Sequence, residues 1–456
     1  MPKHLVLAGG GHAHLPTLSR LADFQAAGIA VTCIAPGPYL AYSGMGPGLL
    51  AGRYALDELR AAIERMMMAQ GECLRRPGEA LPLLDLSAGG DHPPRTPWIG
   101  GGGAGGAQQC MGEATREREG QSRENPRTPW TSGGMAGGAQ QCMGEATWRK
   151  EDRTPGCRFL RGRVVGIAPE RRRLFLADGR ELAYDAVSFG IGSTVAETLV
   201  AEDSPETAVY TVKPIENLLL ARQDILARVA AGNAPRVVVA GGGPAGFEVA
   251  GCALGLLAGL GVDAPSVAVA APRGLLPDWP ARGRRLAGTS LARRGGVVVP
   301  ARLVRLEGGQ AVFDDGSRRP CDVLLAATGT RPPAIFRECG LSAAPDGGLT
   351  VNACLQSPFF PEVFGGGDCI HFGPKPLPRA GVYAVRQGPV LRANLLAALT
   401  GRKLTPFCRT GTNFLALLNC GDGRAILRKG PLVAEGRWCM ALKDAIDRRF
   451  MRMFAC

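Results

Sequence analysis

The sequence contains no apolar run approaching the ~18 residues of a membrane-spanning helix, and no Cys-x-x-Cys among its 14 cysteines. The first absence predicts a chain that does not cross a membrane. The second excludes a local dithiol redox centre and, with the irregular cysteine spacing, predicts reduced thiols. No leader is expected, because the first strand-like stretch, "HLVLAGGG", begins at His4. Acidic residues are in deficit, 40 against 53 Lys plus Arg, for a net charge of +13. The basic residues fall in short runs such as "ERRRL" and "RGRR", a pattern of solvated faces rather than a nucleic-acid surface. Histidine is scarce at 5 residues. A His-x-His pair at His12 and His14 therefore has only His4, His92 and His371 to complete it, which argues against a metal hydrolase. These absences predict a cytoplasmic protein with no metal site and no nucleic-acid partner. What is present, 456 residues at 45% hydrophobic and 20% charged content, is enough for two or three domains with cores of their own.

Two glycine clusters dominate what remains. Residues 236–251, "RVVVAGGGPAGFEVAG", carry Gly-x-Gly-x-x-Gly at Gly241, Gly243 and Gly246, and residues 6–14, "VLAGGGHAH", align on 238–246 without a gap. In such a loop the first glycine permits the turn, the second admits a pyrophosphate to the backbone, and the helix that follows presents its positive end. The first loop, Gly9, Gly10, Gly11, His12 and Ala13, departs from the second at the third glycine, where His14 stands; that predicts a loosened or shifted helix. Candidate strands at 30–35 and 266–271 follow the loops at βαβ spacing. A second internal match aligns 176–193 on 313–330, pairing Asp178 with Asp315, Gly179 with Gly316, Asp185 with Asp322 and Gly192 with Gly329. Each copy predicts a hairpin with an Asp-Gly turn, followed by a buried strand that ends in glycine. The expected fold is α/β, with two homologous Rossmann-like units, the second inserted in the first, and a small C-terminal segment.

Residues 95–115 recur almost unchanged at 127–147, a Gly-rich pair without periodic core positions. Residues 71–156 are therefore expected to be a disordered insertion, with Cys110 and Cys142 copied bystanders. The expected organisation is 1–70 and 157–212 as the first unit, 213–330 as the second, 331–400 as the return to the first, and 401–456 as the C-terminal segment.

These stretches, together with "PYLAYSGMGPGLLAGRY", "VKPIENL", "AATGTRPP", "VFGGGDC" and "AGVYAVRQGPVLRANL", resemble the FAD-dependent pyridine nucleotide-disulfide oxidoreductase superfamily. The likeness is greatest to its type II NADH dehydrogenase-like branch and to the subgroup found alone or fused to selenide, water dikinase. The resemblance implies FAD on the first unit, at Gly9, Gly10, Gly11, His12 and Ala13, with Ser43 and Gly44 lining the flavin, Gly192 nearby, and Gly367 and Asp368 at the ribityl chain. It implies NADH or NADPH on the second unit, at Gly241, Gly243, Pro244, Gly246 and Gly329, with Glu248 near the nicotinamide as the candidate catalytic residue. Neither second strand ends in an acidic residue, so the donor stays open between NADH and NADPH, with Arg273 a candidate for a 2′-phosphate. His12, at the helix start, is expected to contact the FAD pyrophosphate.

The implied activity is hydride transfer from NAD(P)H to flavin and onward to a small-molecule acceptor, a quinone among the candidates. A flavin-binding accessory or redox-sensing module of selenophosphate metabolism is the alternative. A sulfide:quinone oxidoreductase-like enzyme using Cys157, Cys339 or Cys354 is another. The tail places Trp438, Leu442, Ile446, Phe450 and Phe454 four apart on one helical face, with Lys443, Arg448, Arg449 and Arg452 beside them. That pattern suits a packing or partner-docking helix, and equally a peripheral membrane contact. A homodimer is compatible with the same reading.

Overall fold

The computed structural model describes residues 2–69, 149–151, 156–195, 200–201 and 206–454. The repeat pair at 95–115 and 127–147, with Cys110 and Cys142, lies outside the described residues. The fold is mixed α/β, built on two five-stranded parallel sheets. In the first, the strand order is Val363–Gly365, Ala186–Phe189, Lys3–Ala8, Ile29–Ala35, Cys157–Arg161. In the second it is Ala208–Thr211, Val323–Ala326, Val237–Ala240, Val267–Ala270, Gly296–Val299. Both orders are the same once the duplicated segments are matched, with a glycine loop leaving the central strand of each. The central strands "LVLA" and "VVVA" are buried throughout, as a strand covered by helices on both faces must be.

The internal match at 176–193 and 313–330 is a structural equivalence as well. Gly179 and Gly316 both sit at φ 82° in Asp-Gly turns, a conformation that glycine adopts without a Cβ penalty. Past each turn a carboxylate staples the hairpin to the start of the central strand. Asp185 Oδ2 accepts the His4 N–H at 2.7 Å, and Asp322 Oδ2 accepts the Arg236 N–H at 2.7 Å. Each unit also carries a four-stranded side sheet. In the first unit its outer member, Arg149–Glu151, comes from the end of the segment assigned from sequence to the insertion, and pairs in parallel with Arg180–Ala183. The second unit leaves and rejoins the first through a two-stranded antiparallel ribbon, Thr194–Val195 against Thr330–Arg331.

The C-terminal segment forms an antiparallel meander, Ala416–Asn419, Ala425–Lys429 and Leu432–Gly436, then a helix, Arg437–Arg452. The meander lies directly on the helix Pro244–Gly259 of the second unit. A Cβ at Gly255 would meet Gly421 O at 2.0 Å, and one at Gly251 would meet Cys420 O at 2.5 Å. Glycine spaced by four on one helical face is what lets two backbones approach so closely.

The C-terminal helix corrects the face expected from sequence. Phe450 and Phe454 are buried, but Trp438, Leu442 and Ile446 are exposed, at 56%, 36% and 41%. The side turned inward carries Cys439, Met440, Lys443, Asp447, Phe450 and Met451. A helical wheel identifies the apolar stripe, yet here the fold buries an ion pair and leaves most of that stripe facing out. Among the described residues no helix is long and apolar enough to cross a membrane.

Candidate functional site

The two glycine loops are built differently at their third position. In the second loop Gly241, at φ 120°, turns under Ala327, and a Cβ at Gly246 would stand 1.8 Å from Gly241 O. Gly243 has nothing within 4 Å of its would-be Cβ. The helix starts at once, at Pro244, with Gly243 as its N-cap, and runs 16 residues. An open glycine before the unpaired N–H groups of a long helix is a cradle for an anion.

In the first loop Gly9, at φ 90°, and Gly11 press against Gly190, whose carbonyl would lie 2.6 and 2.2 Å from their Cβ atoms. His14 takes the place of the third glycine and is fully buried. Its Nδ1 lies 2.5 Å from Gly9 O, and its Nε2 lies 2.8 Å from Ser188 Oγ. A carbonyl only accepts, so Nδ1 carries the proton and Nε2 accepts from the serine. Burial lowers the His14 pKa to about 4, which keeps this neutral tautomer. The helix starts only at Leu15 and breaks after Leu18 before resuming at Leu21–Ala26.

His12 sets its ring against aromatic neighbours. It lies 5.5 Å from the Tyr42 ring and 6.2 Å from the Phe450 ring, nearly parallel to the latter. Its Nε2 is sealed from solvent and has no hydrogen-bond partner among the described residues. Burial, more than the opposing pull of Asp368, lowers its pKa to about 4.

Asp368 sits in the turn Gly367–Cys369 just past the edge strand Val363–Gly365. Its Oδ2 accepts from Ser193 Oγ at 3.0 Å and from Lys213 Nζ at 2.8 Å, drawing three distant segments to one point. Gly367 N–H donates to Gln387 Oε1 of the helix Gly381–Thr400 at 2.8 Å. Ser43 and Gly44 form the turn Ser43–Met45, and a Cβ at Gly381 would lie 3.8 Å from Ser43 Oγ. Gly192 and Gly329, at φ 69° and 105°, have open space where a side chain would go. Ser193 and Lys213 were not singled out from sequence; the "VKPIENL" stretch was noted, but nothing local marks its lysine as a partner of Asp368.

Glu248 lies one turn into the second-loop helix, where its Oε1 accepts the Asn419 N–H of the meander at 2.8 Å. Burial pushes its carboxyl up to about 7, against the pull of Lys443. Lys443 of the C-terminal helix donates to Asp447 Oδ2 at 2.8 Å and to Gly44 O at 2.7 Å. Burial opposes its charge, yet Glu248 and Asp447 hold the ammonium above its usual range. Tyr42 OH donates to the other Asp447 oxygen at 3.1 Å. One buried polar network thus joins the second-loop helix, the meander, the turn at 42–46 and the C-terminal helix.

Arg273 is exposed just beyond the strand Val267–Ala270, and the strand ends bear no carboxylate. Burial pushes the Cys157 thiol up to about 11 on the edge strand of the first sheet. Cys339 is buried, with its sulfur 3.4 Å from Ile167 N. Cys354 is half-buried in the turn after Leu349–Val351. With its pKa raised, the Cys157 thiol is a poor nucleophile.

The sequence profile of the pyridine nucleotide-disulphide oxidoreductases matches residues 3–388. Among curated proteins, ferroptosis suppressor protein 1 of Taeniopygia guttata is 27% identical over 300 residues, 59% of this chain and 71% of that protein. The internal alternative NAD(P)H-ubiquinone oxidoreductase A1, mitochondrial, of Arabidopsis thaliana is 25% identical over 234 residues, 49% of this chain and 45% of the plant protein. Among solved structures, NDH2 from Plasmodium falciparum in complex with NADH superposes with a TM-score of 0.68 at 11% identity, covering 100% of this chain and 97% of the other. The sulfide:quinone oxidoreductase of Aquifex aeolicus gives 0.66 at 14% identity, covering 99% and 91%.

Proposed function

Because the chain belongs to the pyridine nucleotide-disulphide oxidoreductase family, and is an FAD-dependent NAD(P)H oxidoreductase, we propose that its electron acceptor is a lipid-soluble quinone met at a membrane surface. The overall reaction takes NAD(P)H, one proton and a quinone to NAD(P)+ and a quinol. FAD, when bound, supplies the two-electron store between donor and acceptor. Everything else falls to the residues of the chain.

The observation that carries the quinone reading is the C-terminal helix. Trp438, Leu442, Ile446 and, just past its end, Met453 are exposed, with Arg449 and Arg452 among them. An amphipathic helix of this kind, aromatic and aliphatic with arginines alongside, lies in the plane of a bilayer interface. Its other face contributes Lys443, Asp447 and Phe450 to the site, so a membrane contact there is also a contact with the catalytic cleft. Two relatives named above act on quinones by their names, which supports the same reading.

For the cofactors, the first loop with Gly9, Gly10, Gly11, His12 and Ala13, the turn at Ser43 and Gly44, Gly192, and Gly367 with Asp368 would hold FAD. Asp368 suits two sugar hydroxyls only if Lys213 and Ser193 yield part of its coordination, and its carboxylate has the acceptor capacity for both. Gly241, Gly243, Pro244, Gly246 and Gly329 would hold the nicotinamide dinucleotide, and Glu248 would orient its reactive end. A carboxyl titrating near 7 is also suited to hold or release a proton during turnover. The exposed Arg273, with no acidic residue at the strand ends, supports NADPH as a donor.

Anaerobic titration of the yellow protein with NADH and with NADPH identifies the donor, and failure of both to bleach the flavin removes the dehydrogenase reading. Vesicle flotation with and without the substitutions Trp438→Ser, Leu442→Ser and Ile446→Ser tests the surface contact. Turnover with a short-chain ubiquinone against ferricyanide tests the acceptor: reduction of ferricyanide alone would refute it.

A further inference from the structure

The turn that joins the first two strands of the C-terminal meander, residues 420–424, is fitted to the helix Pro244–Gly259 backbone against backbone. A Cβ at Gly421, which sits at φ 81°, would meet Gly251 O at 2.0 Å and Cys252 N at 2.7 Å, and one at Gly255 would meet Gly421 O at 2.0 Å. Contacts between backbones leave no flexible side chain to absorb a shift, so the place of the turn along the helix is sharply set. Two arginines reinforce it: Arg294 donates to Gly251 O at 3.1 Å, and Arg293 pairs with Asp422 of the turn.

Asn419 stands at the entrance to this turn and is buried. Its side-chain Oδ1 accepts the Gly421 N–H at 2.8 Å, a local bond that shapes the turn. Its main-chain N–H donates to Glu248 Oε1 at 2.8 Å, three residues before Gly251 on the same helix. One residue thus shapes the turn and grips the carboxyl group, while the glycines set where that grip falls. The other groups that face Glu248 are Lys443 and Asp447 of the C-terminal helix and Tyr42 of the neighbouring turn, with Cys252 one turn along its own helix. Lys443 spends hydrogen bonds on Asp447 and Gly44 O, and attracts Glu248 as a charge. A charge draws the carboxylate without choosing its direction, whereas a hydrogen bond is directional.

We infer that Asn419 is the positioning residue of Glu248: its turn, keyed to Gly251 and Gly255, holds a main-chain N–H on one carboxyl oxygen and so fixes the direction of that group in the cleft. This rests on the role given to Glu248 above, and it gives the meander a part in the nicotinamide reaction. A glutamate has several side-chain torsions to fix, and a donor carried on braced backbone fixes them better than a flexible side chain would.

Two substitutions disturb the grip from different sides. Asn419→Leu removes the bond that shapes the turn, and Gly255→Ala wedges the turn off the helix about two helical turns beyond Glu248. With the FAD-loaded full-length protein, infrared difference titration reads the carboxyl group directly, through the protonated-carboxyl band that Glu248→Gln removes. Its midpoint, about 7 in the wild type, should rise by about one unit in both variants, because the donor that favours the ionised form is lost. In stopped-flow mixing, kcat/KM for the nicotinamide should fall about fivefold. Asn419→Ser, whose hydroxyl can accept the Gly421 N–H, should return both values to near wild type. Once Glu248 is glutamine, neither Asn419→Leu nor Gly255→Ala should lower kcat/KM further. Unmoved midpoints in both variants would overturn the inference. So would failure of the serine to restore them, or an undiminished fall in kcat/KM when Glu248 is already replaced. Shifted midpoints with kcat/KM at wild-type values, in Glu248→Gln as well, would instead remove the nicotinamide role of Glu248 and leave its positioning by Asn419 standing.

Discussion

At the second glycine loop, a helix and a turn approach so closely that a Cβ at Gly246 would stand 1.8 Å from Gly241 O. At the first, the equivalent gap is spanned by the His14 ring, hydrogen-bonded to Gly9 O on one side and to Ser188 on the other. The same ancestral turn is closed by contact in one unit and by a neutral side-chain tether in the other. The tether has a geometric consequence: the first helix begins later and breaks after four residues, while the second runs for 16. A glycine motif therefore encodes a distance between backbone segments, and another residue can occupy that distance if it satisfies the groups it separates.

The comparison breaks most sharply at Gly246→Val. No side chain fits there, so the helix must move off the cradle. NAD(P)H-dependent flavin bleaching should fall by about a hundredfold or more, with FAD content retained, as stopped-flow mixing would show. At the first loop the counterpart is His14→Gly, which restores the glycine pattern in writing but removes the tether. It leaves a cavity and an unpartnered Ser188, and should lower unfolding stability by about 3 kcal/mol in denaturant titration, with weaker FAD retention. Restored stability in that variant would show that the tether is incidental.

The tether also sets a pH dependence of its own, in a window below that of Glu248. His14 has its folded pKa depressed to about 4 from 6.5. Below pH 6.5 the unfolded chain takes up a proton that the folded chain refuses until about pH 4, so stability is lost as pH falls through that window. The His14 share of the loss should reach about 3 kcal/mol; His12, lowered to about 4 by the same burial, adds its own share, so His14→Gln should remove only part of the dependence in urea titrations at stepped pH. On the other loop, Glu248→Gln should lower kcat/KM for the nicotinamide by about tenfold and erase an inflection near pH 7, because the glutamate is the group that ionises there. The smallest effect belongs to the exposed stripe. Trp438→Ser with Leu442→Ser should change stability by less than about 0.5 kcal/mol, yet abolish vesicle flotation.

The parts of the fold that were legible in the sequence are those with local causes. Apolar strands running into glycines marked both central strands, and Asp-Gly turns marked both hairpins. The internal alignment also predicted the equivalence of Asp185 and Asp322, although not that each would staple its hairpin to the central strand. Less legible were features that depend on distant partners. The wheel of the C-terminal helix displays its apolar stripe, but burial of Lys443 and Asp447 follows from Gly44 O, Tyr42 and Glu248, which sequence spacing does not bring together. Lys213 reaches Asp368 for the same reason. Nothing local to Gly251 and Gly255 marks them as the seat of the meander, whose carbonyls lie against both.

The ribbon of Thr194–Val195 against Thr330–Arg331 has a historical consequence. It brings the entry and the exit of the second unit side by side, so a duplicated gene segment could be spliced into the first unit without stretching either strand or crossing the chain. Two copies joined end to end would face one another only by chance. A copy stitched in at a single seam is carried in a fixed orientation, and the two copies can then differ at one position, as they do at His14 and Gly246, without disturbing how they are joined.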